Sequence, residues 1–307
     1  DAFPEYIEHY LGPLAKACVE HGGREIQMQE KNIFWFAAPA FPRVYENLFA
    51  EDRRQAIIAG TDDANSRTHE LNILGRAGLR QAGLIDHIQA SAIADLFCFS
   101  RLWEWEYAKH GHPFLRLLVA YTVLGADRYF IRDNFYSGRG FSEWGTEFAD
   151  TFIHMLGKGI VFAPEPEQIV GFNPIGFAVH KPSQEWIDTN FGGHNTGSWR
   201  PNPEMDTAVV PHSNVIWGNT PTPEHSLQAV LLHKKRQFGA HVPATPYGPI
   251  VFVPAQADLD NVPHVREWWH TDGEYIWREG GRRLKGAGAA EAMRESFDES
   301  ASDLPFR

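Results

Sequence analysis

The sequence predicts an α/β protein of the (β/α)8-barrel type, incomplete or irregular at its end, with a long Gly/Pro-rich loop region. Three observations carry that reading. Apolar strand candidates start near residues 26, 57, 88, 129 and 169, at spacings of 31, 31, 41 and 40 residues. A helical pattern follows each of the first four, and that pitch suits consecutive strand–helix units with parallel strands. Polar and charged residues collect just after the strand candidates, where α/β folds gather ligand and catalytic groups. An open doubly wound sheet is the alternative. No Gly-x-Gly-x-x-Gly follows a strand and no Walker loop occurs, so nucleotide binding lacks its usual support.

The elements follow from local patterns. Phe3, Tyr6, Ile7, Tyr10, Leu11, Leu14 and Cys18 recur at helical spacing, with a kink expected at Gly12-Pro13 and a stop at Gly22-Gly23. Residues 25–30 alternate and read as a strand. A helix opened by Pro42 precedes the apolar strand Ala56-Ile57-Ile58-Ala59. Leu71, Leu74 and Leu79 mark a helix running to Gly83, and Ile88 to Leu96 reads as a strand. Pro113 opens a nearly all-apolar, hence buried, helix to Leu124, followed by strand Tyr129-Phe130-Ile131. Ser142 caps a helix bearing Trp144, Phe148, Phe152 and Leu156, and Ile169-Val170-Gly171-Phe172 opens the next strand. Residues 181–225 carry repeated Gly and Pro and are too long for an ordinary connector. A helix over 226–238 and a strand over 249–254 complete the series. Residues 1–260 are therefore read as the barrel, and 261–307 as a C-terminal extension or the start of another module.

The chain has 307 residues and a net charge of −11, which disfavours nucleic acid or an anionic membrane as partner. No apolar run reaches the length of a membrane span. No signal peptide is visible and the chain starts at Asp1, which reads as a mature, processed or truncated chain. Cys18 and Cys98 sit among apolar residues and read as small buried hydrophobes. Ten Trp, nine Tyr and twenty-one Phe exceed what an ordinary core needs to explain, and two clusters lie in polar settings: Trp103-Glu104-Trp105-Glu106-Tyr107 and Trp268-Trp269-His270. Indole faces beside carboxylates suit sugars, whose C–H faces stack while their hydroxyls take charged acceptors.

The candidate chemistry lies at four strand ends: Gln29-Glu30-Lys31-Asn32, Thr61-Asp62-Asp63-Ala64-Asn65, Ala94-Asp95-Leu96 and Arg132-Asp133-Asn134. In a parallel barrel these converge on one mouth. Two carboxylates across a pocket can divide acid and base roles, which is what glycoside hydrolysis requires. Glu30 is the first candidate for proton donor, because Ile33, Phe34, Trp35 and Phe36 follow it and favour a raised pKa. Asp62 or Asp63 is the candidate base or nucleophile, with Asp133 in reserve. Lys31, Trp35, Asn65, Arg67, Trp103, Glu104, Trp105, Glu106, His110, His112 and Arg132 are candidate substrate contacts. His110 and His112 also have a metal-ligand spacing, but they precede a helix rather than ending an early strand, so neither metal nor cofactor is expected.

The run Gly60-Thr61-Asp62-Asp63-Ala64-Asn65-Ser66-Arg67 joins Asp95-Leu96-Phe97, Glu104-Trp105-Glu106-Tyr107 and Lys109-His110-Gly111-His112-Pro113 in one pattern. It resembles the lambda-carrageenase-like glycoside hydrolases, over roughly residues 24–180 and again near 246–254. The resemblance implies a barrel enzyme that hydrolyses a polysaccharide, a sulfated galactan, with a carboxylate pair and no cofactor. It also implies a secreted or periplasmic enzyme. Arg67, Arg132 and Lys31 would then meet the sulfate groups, since guanidinium binds tetrahedral anions bidentately. A polysaccharide lyase, a metal-dependent hydrolase and a non-catalytic carbohydrate-binding protein are the alternatives. The oligomeric state is left open by the sequence.

Overall fold

A computed structural model describes residues 2–23, 25–30, 34–50, 53–61, 70–94, 112–133, 149–169, 174–191 and 250–301. It is a mixed α/β structure with two four-stranded sheets. The first runs β1 (Ile26–Gln29), β2 (Ile57–Gly60), β3 (His87–Ala94) and β4 (Ala126–Asp133), parallel throughout and in chain order. The second contains β5 (Ile175–Val179), β6 (Phe252–Pro254), β7 (Glu267–Thr271) and β8 (Ile276–Trp277), in the order β6-β5-β7-β8.

The barrel expectation is met only at the level of strand–helix units and parallel sheets. Among the described residues no strand pairing joins the two sheets into a ring, and the second sheet departs from chain order. Its last pair is antiparallel. The connection from β7 to β8 is too short for a crossover, and it is closed locally. Asp272 Oδ1 accepts the backbone N–H groups of Glu274 at 3.2 Å and Tyr275 at 2.8 Å, around Gly273 at φ +91°.

The helices expected near Pro42, Leu71 and Pro113 are present, the expected Ser142 cap lies outside the described residues, and a helix over Gln184–Phe191 stands in the region expected as a loop. The N-terminal helix comprises α1 (Ala2–Tyr6), a π-helical stretch Ile7–Leu11 and α2 (Gly12–Glu20). The expected kink is thus a local widening: Pro13 has no N–H to give, and Gly12 donates five residues back to Ile7. Gly22 and Gly23 stop it at positive φ. α3 (Phe34–Ala37), a 3-10 turn Ala38–Ala40 and α4 (Pro42–Leu48) follow β1, and α5 (Glu70–Gln81) links β2 to β3. α6 (His112–Val123) precedes β4, and α7 (Thr151–Gly157) follows it. α8 (Gln184–Phe191) is capped by the Ser183 hydroxyl on the Trp186 N–H at 3.1 Å, and α9 (Gly286–Ala301) ends the described chain.

Of the strand expected to open at Ile169-Val170-Gly171-Phe172, residues 170–172 lie outside the described residues, and β5 begins at Ile175, one residue past Pro174. Ile169 ends a short 3-10 turn, Pro166–Gln168. The Pro174 carbonyl takes the N–H groups of Arg266 and Glu267, which starts the β5–β7 pairing. Residues beyond 260 belong to the same sheet as β5 and β6. β7 pairs with β5 over its whole length, and Trp269 donates to Ser296 of α9 at 3.2 Å. Trp269 is therefore a core residue, 3% exposed, and not a surface sugar platform.

One apolar cluster spans both sheets. α5 is its keystone, because two glycines one turn apart let backbone approach backbone. A Cβ on Gly75 would lie 2.5 Å from the Trp35 carbonyl oxygen, and one on Gly78 would collide with the Phe252 carbonyl. Phe36 fills the adjoining space, with ring centroids 5.3 Å from Phe252 and 5.7 Å from Trp186. Arg76, fully buried on the same helix, donates to the Gln89 carbonyl at 2.6 Å and lies over the Tyr121 ring. Half-buried His87, Asp127 and Arg128, with exposed Glu25, sit at the opposite, amino-terminal end of the first sheet and form a polar network.

Candidate functional site

The register Gln29↔Gly60 sets the ends of β1 and β2 side by side, while Ala59↔Ile88 leaves β3 and β4 running on past that level to the paired Ala94 and Asp133. Glu30 follows β1 directly. Its N–H donates to the Gly60 carbonyl at 3.0 Å, and its own carbonyl accepts from Asn72 Nδ2 at 3.2 Å. Its backbone is thereby held between β2 and α5. The side chain is half-buried, and burial raises its carboxyl above the usual glutamate range. A carboxylic acid that keeps its proton at higher pH suits general acid catalysis.

Beside it, Thr61 is fully buried and its carbonyl accepts from the Ser91 hydroxyl. Gly60 has no side chain, which leaves room for Gln89: a Cβ there would lie 3.0 Å from Gln89 Oε1. The buried Gln89 amide makes no hydrogen bond among the described residues. Trp35 is 1% exposed, and its indole N–H donates to the Gly60 carbonyl at 2.8 Å. The structure thus places Trp35 under the strand ends as a support, rather than on the surface as a sugar platform.

Arg132 and Asp133 are the last two residues of β4, and His112 is the first of α6. Lys31, Asp62, Asp63, Asn65, Arg67, Trp103, Glu104, Trp105, Glu106 and His110 lie outside the described residues, as do the Gly/Pro-rich region from 192 to 225 and the helix expected over 226–238.

A second titratable cluster was not singled out from the sequence. His180 follows β5 and His270 lies on β7. The β5–β7 pairing brings His180 Nε2 to 2.9 Å from His270 Nδ1, although the residues are 90 apart in sequence. His270 Nε2 lies 3.1 Å from Glu279 Oε2. Trp277 backs both imidazoles, at centroid distances of 5.1 Å and 5.8 Å. Burial, then His270 and Arg283, lower the His180 pKa, against an opposing pull from Glu279. One sequence signal for this cluster exists: His180 is the first polar residue after the apolar run Ile175–Val179, a strand-end position like those of the first sheet.

The segment from Phe34 to Phe41 connects the two regions. Trp35 meets the last residue of β2, the Ala40 carbonyl accepts from Gln256 Nε2 at 2.9 Å just past β6, and Phe41 lies under Lys181 Nζ at 5.1 Å just past β5. The carboxyl ends of β2, β5 and β6 are thus tied to one short segment that begins near Glu30. Among the described residues, no group of three or more His, Cys, Asp and Glu is arranged to hold a metal ion. No helix among them is long and apolar enough to cross a membrane.

The family described as the lambda-carrageenase middle domain matches residues 1–267. Two curated relatives, lambda-carrageenases from a Pseudoalteromonas species and from Pseudoalteromonas carrageenovora, are each 20% identical over 328 aligned residues. Those alignments cover 100% of this chain and 33% of each relative, so the chain spans about a third of the length of the proteins it matches. No solved structure matches it at a significant level. The chain belongs to the lambda-carrageenase middle-domain family.

Proposed function

We propose that this chain carries the site of a glycoside hydrolase acting on a sulfated galactan of the lambda-carrageenan type, with Glu30 as the proton donor. The observation that carries the reading is the placement of Glu30. It is a half-buried carboxyl with a raised pKa, held by backbone bonds at the carboxyl end of a parallel sheet. The family membership and the names of the relatives support the substrate class.

The partner carboxylate in this reading is Asp62 or Asp63, which follow β2 beside β1 in the chain order of the sheet, with Asp133 at the end of β4 in reserve. Glu30 protonates the leaving glycosidic oxygen while the partner acts as base or nucleophile on the other side of the ring. Arg67, Arg132 and Lys31 meet sulfate groups. Lys31, Asn65, Trp103, Glu104, Trp105, Glu106, His110 and His112 line the sugar path. The first sheet forms one wall of a (β/α)-barrel, a reading supported by its sequential parallel order. A polysaccharide substrate of this size places the enzyme outside the cytoplasm, secreted or periplasmic.

The test is reducing-end release from lambda-carrageenan by the wild-type chain and by Glu30→Gln. Hydrolysis by the wild type, with no ultraviolet-absorbing unsaturated product, and its loss in the variant are expected. An unsaturated product identifies a lyase and overturns the hydrolase reading.

A further inference from the structure

The row Glu279, His270, His180 has a defined polarity. A carboxylate only accepts, so Glu279 Oε2 takes the Nε2–H of His270 at 3.1 Å. In a neutral imidazole the other nitrogen is then an acceptor, and His270 Nδ1 takes the Nε2–H of His180 at 2.9 Å. His180 Nδ1 is left with its lone pair free, and it has no partner among the described residues. The row favours that tautomer, with His270 half-buried and Glu279, 91% exposed, sharing its carboxylate with water.

The rings have little freedom. The His180 N–H donates to the Thr271 carbonyl at 2.7 Å, and Trp277 lies tilted against His180 and stacked on His270. Arg283, paired with Asp272, covers the Trp277 and Tyr275 rings with its guanidinium 4.7 Å from each centroid. The charged groups around His180 are therefore Glu279 beyond His270, Arg283 with its Asp272 partner, and Lys181 next in sequence, turned to Phe41. His180 stands at the carboxyl end of a parallel strand, and the segment from Phe34 to Phe41 links that end to Trp35 and Gly60 beside Glu30.

We propose that His180 Nδ1 is a saccharide-binding acceptor for a sugar hydroxyl, held in its acceptor tautomer by neutral His270 and by Glu279, so that binding there is lost when the His180–His270 pair takes up a proton. The inference takes its ligand class from the glycoside hydrolase reading and adds a binding position on the second sheet. Burial, then His270 when charged and Arg283, against Glu279, hold His180 neutral to lower pH than an ordinary histidine; a proton on His270 then makes its Nδ1 a donor and moves the His180 proton to Nδ1. The sign is clear. With an added proton on either ring, His180 Nδ1 carries a hydrogen and meets the hydroxyl oxygen only as a donor, so affinity for a hydroxyl contact falls as pH falls.

The test is calorimetric titration of the whole chain with a lambda-carrageenan tetrasaccharide across the acidic range, for the wild type, His180→Ala and His270→Phe. The dissociation constant of the wild type is expected to rise about tenfold as the His180–His270 pair takes up a proton, a change of about 1.4 kcal/mol. His180→Ala shows that weakened binding at all pH values and no acid-dependent step. His270→Phe, which frees the tautomer of His180, weakens binding at neutral pH by a smaller factor, and nitrogen-detected imidazole spectra then show His180 Nδ1 partly protonated. Binding indifferent to His180→Ala overturns the proposal. So does binding that tightens on acidification, the mark of an imidazolium meeting a sulfate. Hydrolysis is assayed separately: a chain that binds the tetrasaccharide in this way but never cleaves it retains this inference and loses the hydrolase reading.

Discussion

Trp35 donates its indole N–H to the carbonyl of Gly60 at 2.8 Å, and the same carbonyl accepts the N–H of Glu30 at 3.0 Å. One acceptor thus fixes both the segment after β1 and the residue proposed as acid. Trp35→Phe keeps most of the packing and loses the hydrogen bond. It is expected to cost about 1–2 kcal/mol in urea unfolding, because Gly60 retains Glu30 as donor. Trp35→Ala adds a cavity and is expected to cost about 3–5 kcal/mol. A Trp35→Ala variant as stable as wild type contradicts the supporting role.

Gly78 on α5 faces the Phe252 carbonyl with no room for a side chain. In an exposed helix, Gly→Ala stabilises by up to about 1 kcal/mol. Here the sign reverses. Gly78→Ala is expected to destabilise by about 1–3 kcal/mol or more, since backbone cannot turn aside as a flexible side chain can. Gly288, also helical but with open space around its Cβ position, is the control and is expected to tolerate alanine. Thermal unfolding of the two variants checks the contrast.

The raised pKa of Glu30 makes a stability prediction separate from catalysis. A carboxyl whose folded-state pKa exceeds its unfolded value binds its proton more tightly when folded. Its favourable contribution is complete below the unfolded pKa and is lost as pH rises through the folded one. Above that, ionised Glu30 opposes folding. Glu30→Gln cannot ionise, so the variant is expected to be more stable than wild type at neutral pH, with the difference vanishing in acid. Chemical unfolding at several pH values measures it. A variant less stable at neutral pH than in acid, relative to wild type, refutes the burial argument.

Several of these features were readable in the sequence, and the reasons differ element by element. β1 alternates apolar and polar residues, β2 is a short apolar run closed by Gly60, and Ile88 and Ile93 mark β3, so their positions followed from pattern alone. β7 did not. Glu267-Trp268-Trp269-His270-Thr271 looks like an aromatic cluster in polar company, yet Trp269 and Thr271 are buried on one side in strand alternation. α9 is poor in large apolar residues, and its buried line of Ala289, Met293 and Ser296 recurs at helical spacing through small side chains. The glycines of α5 read as weak helix formers, because the reason for them is the backbone of Phe252, far away in sequence. For the site, Glu30 could be placed at a strand end from the strand–helix pitch. The histidine row could not, since it exists only once β5 and β7 pair across the intervening chain.

The account rests on Glu30 as the acid, and the most direct measurement is the rate of reducing-end release from lambda-carrageenan by Glu30→Gln beside wild type. The chain is first confirmed folded by its circular dichroism. Loss of a positioned general acid is expected to slow turnover by about 10²–10⁴-fold while the variant remains folded. A folded Glu30→Gln chain that hydrolyses at the wild-type rate contradicts the central claim.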